Sequence, residues 1–158
     1  MKKGLIAGLS LIIGFIGGTA SSRLIFGKKV EEKSKKVDKF KNYYNVLNQW
    51  LINVHEGKKL DSYFTNNNYH KIAIYGMGEL GNRTYEELKG TDIQVKYAID
   101  KEAENSYSEL NVVSLDEAME EVDAVVVTAI FAYDEIKEEL ETIFDCQILS
   151  LEDVIYGL

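Results

Sequence analysis

The stretch "KIAIYGMGELGNRTYEEL", Lys71 to Leu88, constrains this chain more than any other. Five strand-forming residues run directly into Gly76-Met-Gly78-Glu-Leu-Gly81, and a helical pattern follows without a linker. A strand that turns at once into a helix must place that helix back along the strand, so the next strand can pair in parallel. The three glycines suit a nucleotide cradle. Gly76 permits the tight turn, Gly78 lets backbone approach a pyrophosphate, and Gly81 lets helix and strand close on each other. The helix start offers unpaired amides and a partial positive charge to phosphate. Glu79, Leu80 and Gly81 form that start. The other reading is a turn that only packs the helix.

The rest of the chain extends the alternation. A second strand is expected over 93–99, ending at Asp100, 19 residues after Gly81. An acidic residue at this point suits the hydroxyls of a ribose and disfavours a 2′-phosphate, so NAD is preferred over NADP. Lys101 follows it. A short strand is expected at 111–113. Ser114-Leu-Asp-Glu117 reads as a capping box opening a helix to about Glu121. "AVVVT", Ala124 to Thr128, reads as a buried parallel strand whose following loop, with Thr128 and Ala129, belongs to the ligand edge of the sheet. A helix over 134–143, a strand over 147–149 and a terminal helix capped by Ser150 complete the pattern. This predicts an α/β fold, a parallel five-stranded sheet of order 3-2-1-4-5.

The region before the sheet has a different composition. Residues 4–22 carry no charge and are rich in Leu, Ile, Phe, Gly and Ala. As a helix they would extend about 28 Å, near the thickness of a hydrocarbon core. A transmembrane anchor over 1–27 is expected, with a cleaved signal peptide ending near Gly18-Thr-Ala20 as the rival. Gly4 and Gly8, and Gly14 and Gly18, are spaced for close helix contact, or are the ordinary glycine of a span. Seven lysines between Lys28 and Lys41 follow the span, against Lys2 and Lys3 before it. That excess predicts a single-pass membrane protein whose C-terminal domain is cytoplasmic.

Charge divides the chain. Residues 1–41 carry a net +7 and residues 42–158 a net −15, making up the total of −8. The basic linker, 28–41, suits anionic lipid head groups. The acidic remainder excludes nucleic acid as a partner. An amphipathic helical segment is expected over 42–69. From the end of the linker into this segment, Phe40, Tyr44, Leu47, Leu51 and Val54 recur at spacings of three and four as one apolar stripe flanked by Trp50. Gly57 ends that helix, Leu60 to Phe64 form a short one, and Thr65 to Asn68 a loop. The two histidines, His55 and His70, have no Cys or His clustered with them, so no metal site is expected. Cys146, the single cysteine, is expected to be a small buried residue beside a strand.

"KIAIYGMGELG", "VKYAIDK" and "SLDEAMEEVDAVVVTA" together resemble the N-terminal nucleotide-binding Rossmann domain of bacterial surface-polysaccharide enzymes. These are the membrane-bound nucleotide-sugar dehydratases and the small domains that precede sugar acetyltransferases. The resemblance covers about 70–155. It implies a Rossmann-like nucleotide-binding domain over 70–158, binding NAD or a nucleotide sugar, in envelope polysaccharide biosynthesis. Both family types carry a further catalytic half that is not found in these residues. The expectation is therefore an accessory or sensing module whose partner is a second copy or a glycan-synthesis protein at the membrane. The alternatives are an oxidoreductase or isomerase working with a partner subunit, and an adaptor with a vestigial site. Tyr133-Asp-Glu-Ile-Lys137 has the Tyr-x-x-x-Lys spacing of short-chain dehydrogenases. It follows the fourth strand rather than the fifth, on a helix rich in glutamate, and reads as a charged surface helix. No catalytic residue is expected.

Overall fold

The computed structural model describes residues 33–101, 109–117 and 120–158. The expected membrane span and the polar segment after Lys101 lie outside them. Among the described residues no helix is long and apolar enough to cross a membrane. The chain forms two compact units, 1–44 and 45–158. In the first, residues 33–44 are helical and mostly exposed, as a lysine- and glutamate-rich stalk requires.

The second unit starts with helix α1 over 45–55, then α2 (Leu60–Asn66), β1 (Lys71–Tyr75), α3 (Glu79–Leu88) and β2 (Gln94–Ile99). After these come β3 (Val112–Val113), β4 (Ala124–Val127), a 3-10 turn (Ile130–Ala132), α4 (Tyr133–Leu140), β5 (Gln147–Ser150) and α5 (Leu151–Tyr156). All strand pairs are parallel, and the order is β3-β2-β1-β4-β5. Strand periodicity sends alternate residues to opposite faces. Ala73, Tyr75, Tyr97, Ile99, Val125 and Val127 form one core with Ile136 and Leu140 of α4. Ile74 and Ala98 face the other way, with Met77, Leu110 and Tyr85 of α3. Helices therefore cover both faces, and β1 and β4 are buried throughout except at Lys71.

Several expected elements change at their edges. The helix starting at Leu60 extends to Asn66, and only Asn67 and Asn68 turn, with Asn68 at φ 60°. The helix after β4 starts one residue earlier than expected and ends at Leu140, three residues early. Ser150 accepts a hydrogen bond from the Glu152 amide at 3.2 Å, which is the expected cap of α5. The helix expected after Ser114 is a correction. Leu115 and Asp116 form a turn closed by the Glu117 amide on the Ser114 carbonyl, and residues 120–122 are not helical. One half of the capping box does form, with the Ser114 amide donating to Glu117 Oε2 at 2.7 Å. Tyr97, buried among the strands, donates to the Glu120 carbonyl, which ties this connection to the sheet.

The amphipathic segment is helical, and it packs through a side other than its apolar stripe. A helix's apolar stripe ordinarily faces the core. Here Leu47, Leu51 and Val54 are exposed, and the packed side carries Val46, Trp50 and Asn53. Polar anchors explain the choice. The Trp50 indole donates to Glu87 Oε2 at 2.6 Å, and the same carboxylate accepts from the Leu60 amide at 2.9 Å. The buried Asn53 amide donates to the Ile155 carbonyl at 2.6 Å. These bonds dock α1 on α3 and α5 through the side that could satisfy buried polar groups.

At the amino edge of the sheet, Asp123 Oδ2 accepts from the His70 and Lys71 amides, each at 2.7 Å. The Lys71 amide, and then that of His70, hold this carboxyl below its usual range. A depressed folded pKa adds stability that is present above about pH 4 and is lost as pH falls through the folded value. The site is exposed, so the gain is at most about 1 kcal/mol. Urea unfolding between about pH 5 and pH 2 should show a shallower loss of stability for Asp123→Ala than for the wild type. Parallel curves would mean that these bonds contribute nothing to the native state.

Candidate functional site

The carboxyl edge of β1 is built around the three glycines. Gly76 takes φ 92°, a backbone region that favours glycine, and its amide donates to the Ile99 carbonyl at 2.8 Å. Gly81 sits so close to the turn that an added Cβ would lie 2.0 Å from the Gly76 carbonyl oxygen. Gly78 differs from both. Its φ is −68°, it is exposed, and a Cβ there would meet nothing within 4 Å. Packing therefore requires the first and third glycines and leaves open space in front of the second.

Asp100 lies where the end of β2 meets this turn. Its Oδ2 accepts from the Met77 amide at 2.7 Å, so the carboxylate braces the turn as well as facing the sheet edge. The Asn82 side chain donates to the Met77 and Gly78 carbonyls at 2.9 and 3.0 Å. The N-cap of α3 is Gly78, which has no side chain to cap the helix. Thr128, a candidate ligand contact by sequence, is buried, and its hydroxyl lies 2.6 Å from the Gly76 carbonyl oxygen. It is a clamp on the turn. Leu80 is also buried, so only its backbone belongs to the helix start. Glu79 is exposed in the first turn, where its charge complements the helix dipole. Arg83 pairs with Glu86 at 2.5 Å on the exposed side of α3.

A cleft of about 420 Å³ opens beside the turn, lined by Tyr75, Gly76, Asp100, Lys101, Ala129 and the face of α4 that carries Glu135, Ile136 and Glu139. The structure thus brings Gly76, Asp100, Lys101 and Ala129 together, as expected for this edge. A larger hollow of about 730 Å³ lies at the opposite, amino edge between the loops before β4 and β5. It includes Cys146, which is half-buried rather than fully buried, its thiol pushed up by burial. The smaller cleft is the better candidate, because ligands of open parallel sheets bind beyond the carboxyl ends of the strands.

Sequence reasoning missed Tyr75 and the glutamates of α4. Tyr75 is 4% exposed, and its hydroxyl has no hydrogen-bond partner among the described residues. Burial raises its pKa, and the charges of Glu139 and Asp100 raise it further. A buried donor without a partner is rare and costs about 1–3 kcal/mol, so this hydroxyl is suited to meet a group entering the cleft. The available signal was a polar-tipped aromatic as the last residue of a central strand. Glu135 and Glu139 stand one turn apart on α4, where local spacing alone indicates only a charged surface.

Tyr133 and Lys137 have structural roles. The Tyr133 hydroxyl donates to the Ile148 carbonyl at 2.9 Å, and Lys137 lies 5.8 Å from the Tyr133 ring centre and 3.7 Å from Glu141. Neither lines the cleft. Among the described residues no three His, Cys, Asp or Glu are grouped to hold a metal ion.

Residues 68–147 match the model of a family described as C2185-like, N-terminal. No curated protein and no solved structure matches the chain.

Two predictions separate the roles at this edge. Gly81→Ala should cost at least about 2 kcal/mol in urea unfolding, while Gly78→Ala should stay within about 1 kcal/mol of wild type. Equal losses would erase the distinction between the packing glycines and the open one. Tyr75→Phe should leave the stability of the ligand-free protein unchanged or raise it by up to about 1 kcal/mol, because only an unsatisfied hydroxyl is removed. A fall of more than about 1 kcal/mol would reveal an internal partner.

Proposed function

This chain belongs to the C2185-like, N-terminal family, and we propose that residues 70–158 are a Rossmann-like module that binds NAD or a related nucleotide, nucleotide sugars included. The observation that carries this reading is the division of labour among the glycines. Gly76 and Gly81 are fixed by φ and by contact, whereas Gly78 keeps open space at the start of α3. A pyrophosphate approaching the backbone needs that arrangement.

Electrostatics orients the ligand. Asp100, Glu135 and Glu139 outnumber Lys101 in the cleft. Phosphate is disfavoured there and belongs at the start of α3, where amides and the helix dipole favour an anion. Ribose hydroxyls suit Asp100. The glutamates suit hydroxyls or a cationic ring, which favours oxidised NAD or a neutral sugar moiety over a 2′-phosphorylated ligand. This chain's residues would bind and orient the nucleotide; none of them is assigned a chemical step.

The wider setting is part of the same proposal. The apolar 4–22 segment anchors the chain, the basic 28–41 linker lies on anionic lipid, and the domain faces the cytoplasm as an accessory or sensing module in surface-polysaccharide synthesis. The lysine excess and the family resemblance of the sequence support it. One observation favours the adaptor with a vestigial site. Asp100 and Asn82 already satisfy groups of the turn, so the turn holds its shape without a ligand.

Isothermal titration with NAD, NADP and nucleotide sugars tests the proposal. Gly78→Val should abolish binding with the fold retained. Asp100→Ala should weaken binding roughly ten- to a hundred-fold and relax discrimination against a 2′-phosphate. A folded wild type that binds none of these ligands would select the adaptor. Substrate-dependent turnover with a partner subunit would select the oxidoreductase or isomerase.

A further inference from the structure

Two polar groups of the cleft beside the glycine turn differ in depth. Tyr75, the last residue of β1, packs under α4 with Ile136, and its buried hydroxyl has no hydrogen-bond partner among the described residues. Glu139, on α4, lines the same cleft and is exposed. Of the charges around the Tyr75 hydroxyl, Glu139 acts on it most strongly, ahead of Asp100, yet no hydrogen bond joins tyrosine and glutamate. Burial and both charges push the tyrosine pKa up, so the hydroxyl keeps its proton and stays a donor.

Carboxylates by themselves would select only a cation. The hydroxyl adds a second demand, because its O–H needs an acceptor. Neither a metal ion nor an ammonium group offers one. Phosphate does, but Glu135 and Glu139 repel it. A neutral group remains, one that accepts from Tyr75 and donates to Glu139. A single sugar hydroxyl serves both only if both lie within hydrogen-bond reach of one atom. Two neighbouring polar atoms on a rigid edge span a buried and an exposed group better. Ala129, Ala132 and Ile136 line the cleft beside them and supply the apolar wall that the face of a planar ring needs.

We propose that Tyr75 and Glu139 read the ring of the bound nucleotide through an amide-type edge, an acceptor atom next to an N–H group. The Tyr75 hydroxyl donates to the acceptor, the Glu139 carboxylate accepts from the N–H, and the ring lies against Ala129, Ala132 and Ile136. Adenine, uracil and the carboxamide of nicotinamide all carry such an edge. A cleft of about 420 Å³ has room for one of these rings with its ribose. The inference rests on the proposed nucleotide binding, and it assigns the residues that choose the ring rather than those that hold phosphate.

The test is isothermal titration of the full chain in detergent micelles. ADP, UDP and nicotinamide mononucleotide probe the three rings, and ribose 5-phosphate is the ring-free probe. Wild type should bind at least one ring-bearing probe more tightly than ribose 5-phosphate, and that probe names the ring. Tyr75→Phe and Glu139→Ala should each weaken it about ten-fold. Tyr75→Phe should leave ribose 5-phosphate within about two-fold. Glu138→Ala, exposed on α4 outside the cleft, should change neither. An equal loss of ribose 5-phosphate in Tyr75→Phe would place a sugar hydroxyl at the tyrosine and overturn the inference. Ribose 5-phosphate binding as tightly as every ring-bearing probe would overturn it too. A ring-bearing probe that binds wild type and either cleft variant alike overturns it while nucleotide binding stands. A folded wild type that binds no ring-bearing probe overturns the inference and the nucleotide reading together.

Discussion

The space between Gly81 and the Gly76 carbonyl is smaller than a methyl group, and the architecture of the carboxyl edge depends on it. Because α3 begins this close to β1, the chain turns back within three residues, and Met77 is drawn into the core beside Ile74 and Ala98. The turn is then held from three sides. Asp100 takes the Met77 amide, Asn82 takes the Met77 and Gly78 carbonyls, and the Thr128 hydroxyl meets the Gly76 carbonyl. Those braces come from β2, α3 and the end of β4, so the turn records the order of the sheet in its own hydrogen bonds. The open side of Gly78 is left free, and as the N-cap this glycine supplies no side chain to the first-turn amides of α3.

The cleft beside this turn has mixed character. It combines a tyrosine hydroxyl without a partner among the described residues, a carboxylate already engaged in bracing, and two further carboxylates on α4. Carboxylates beside a cavity penalise an incoming anion and favour hydroxyls or cations. The start of α3 has the opposite preference. A ligand with an anionic middle and neutral or cationic ends matches this division, and a simple phosphate matches only half of it.

The segment before the sheet shows how polar anchors can override an apolar pattern. Periodicity located a helix and an apolar stripe there, and both exist. Which side of the helix meets the domain was decided by Trp50 and Asn53, whose side chains find Glu87 and the Ile155 carbonyl. Those partners are 37 and 102 residues away in the chain. No reading of local spacing could weigh them against a stripe of leucine and valine.

The sequence by itself determined the strand-turn-helix at Lys71–Leu88, the acidic end of β2, the alternation of elements and the strand order, because each rests on local periodicity, glycine placement and the handedness of crossovers. It also carried the roles of Gly76 and Gly81. Tertiary structure alone decided the rest. It turned Thr128 into a clamp, left the Tyr75 hydroxyl without a partner among the described residues, and placed Glu135 and Glu139 beside Asp100. It also reduced the expected helix after Ser114 to a turn in its described residues. The physical reason is common to these cases. A side chain's role depends on which hydrogen-bond groups and which volume the fold brings within a few ångströms, and residues distant along the chain supply both.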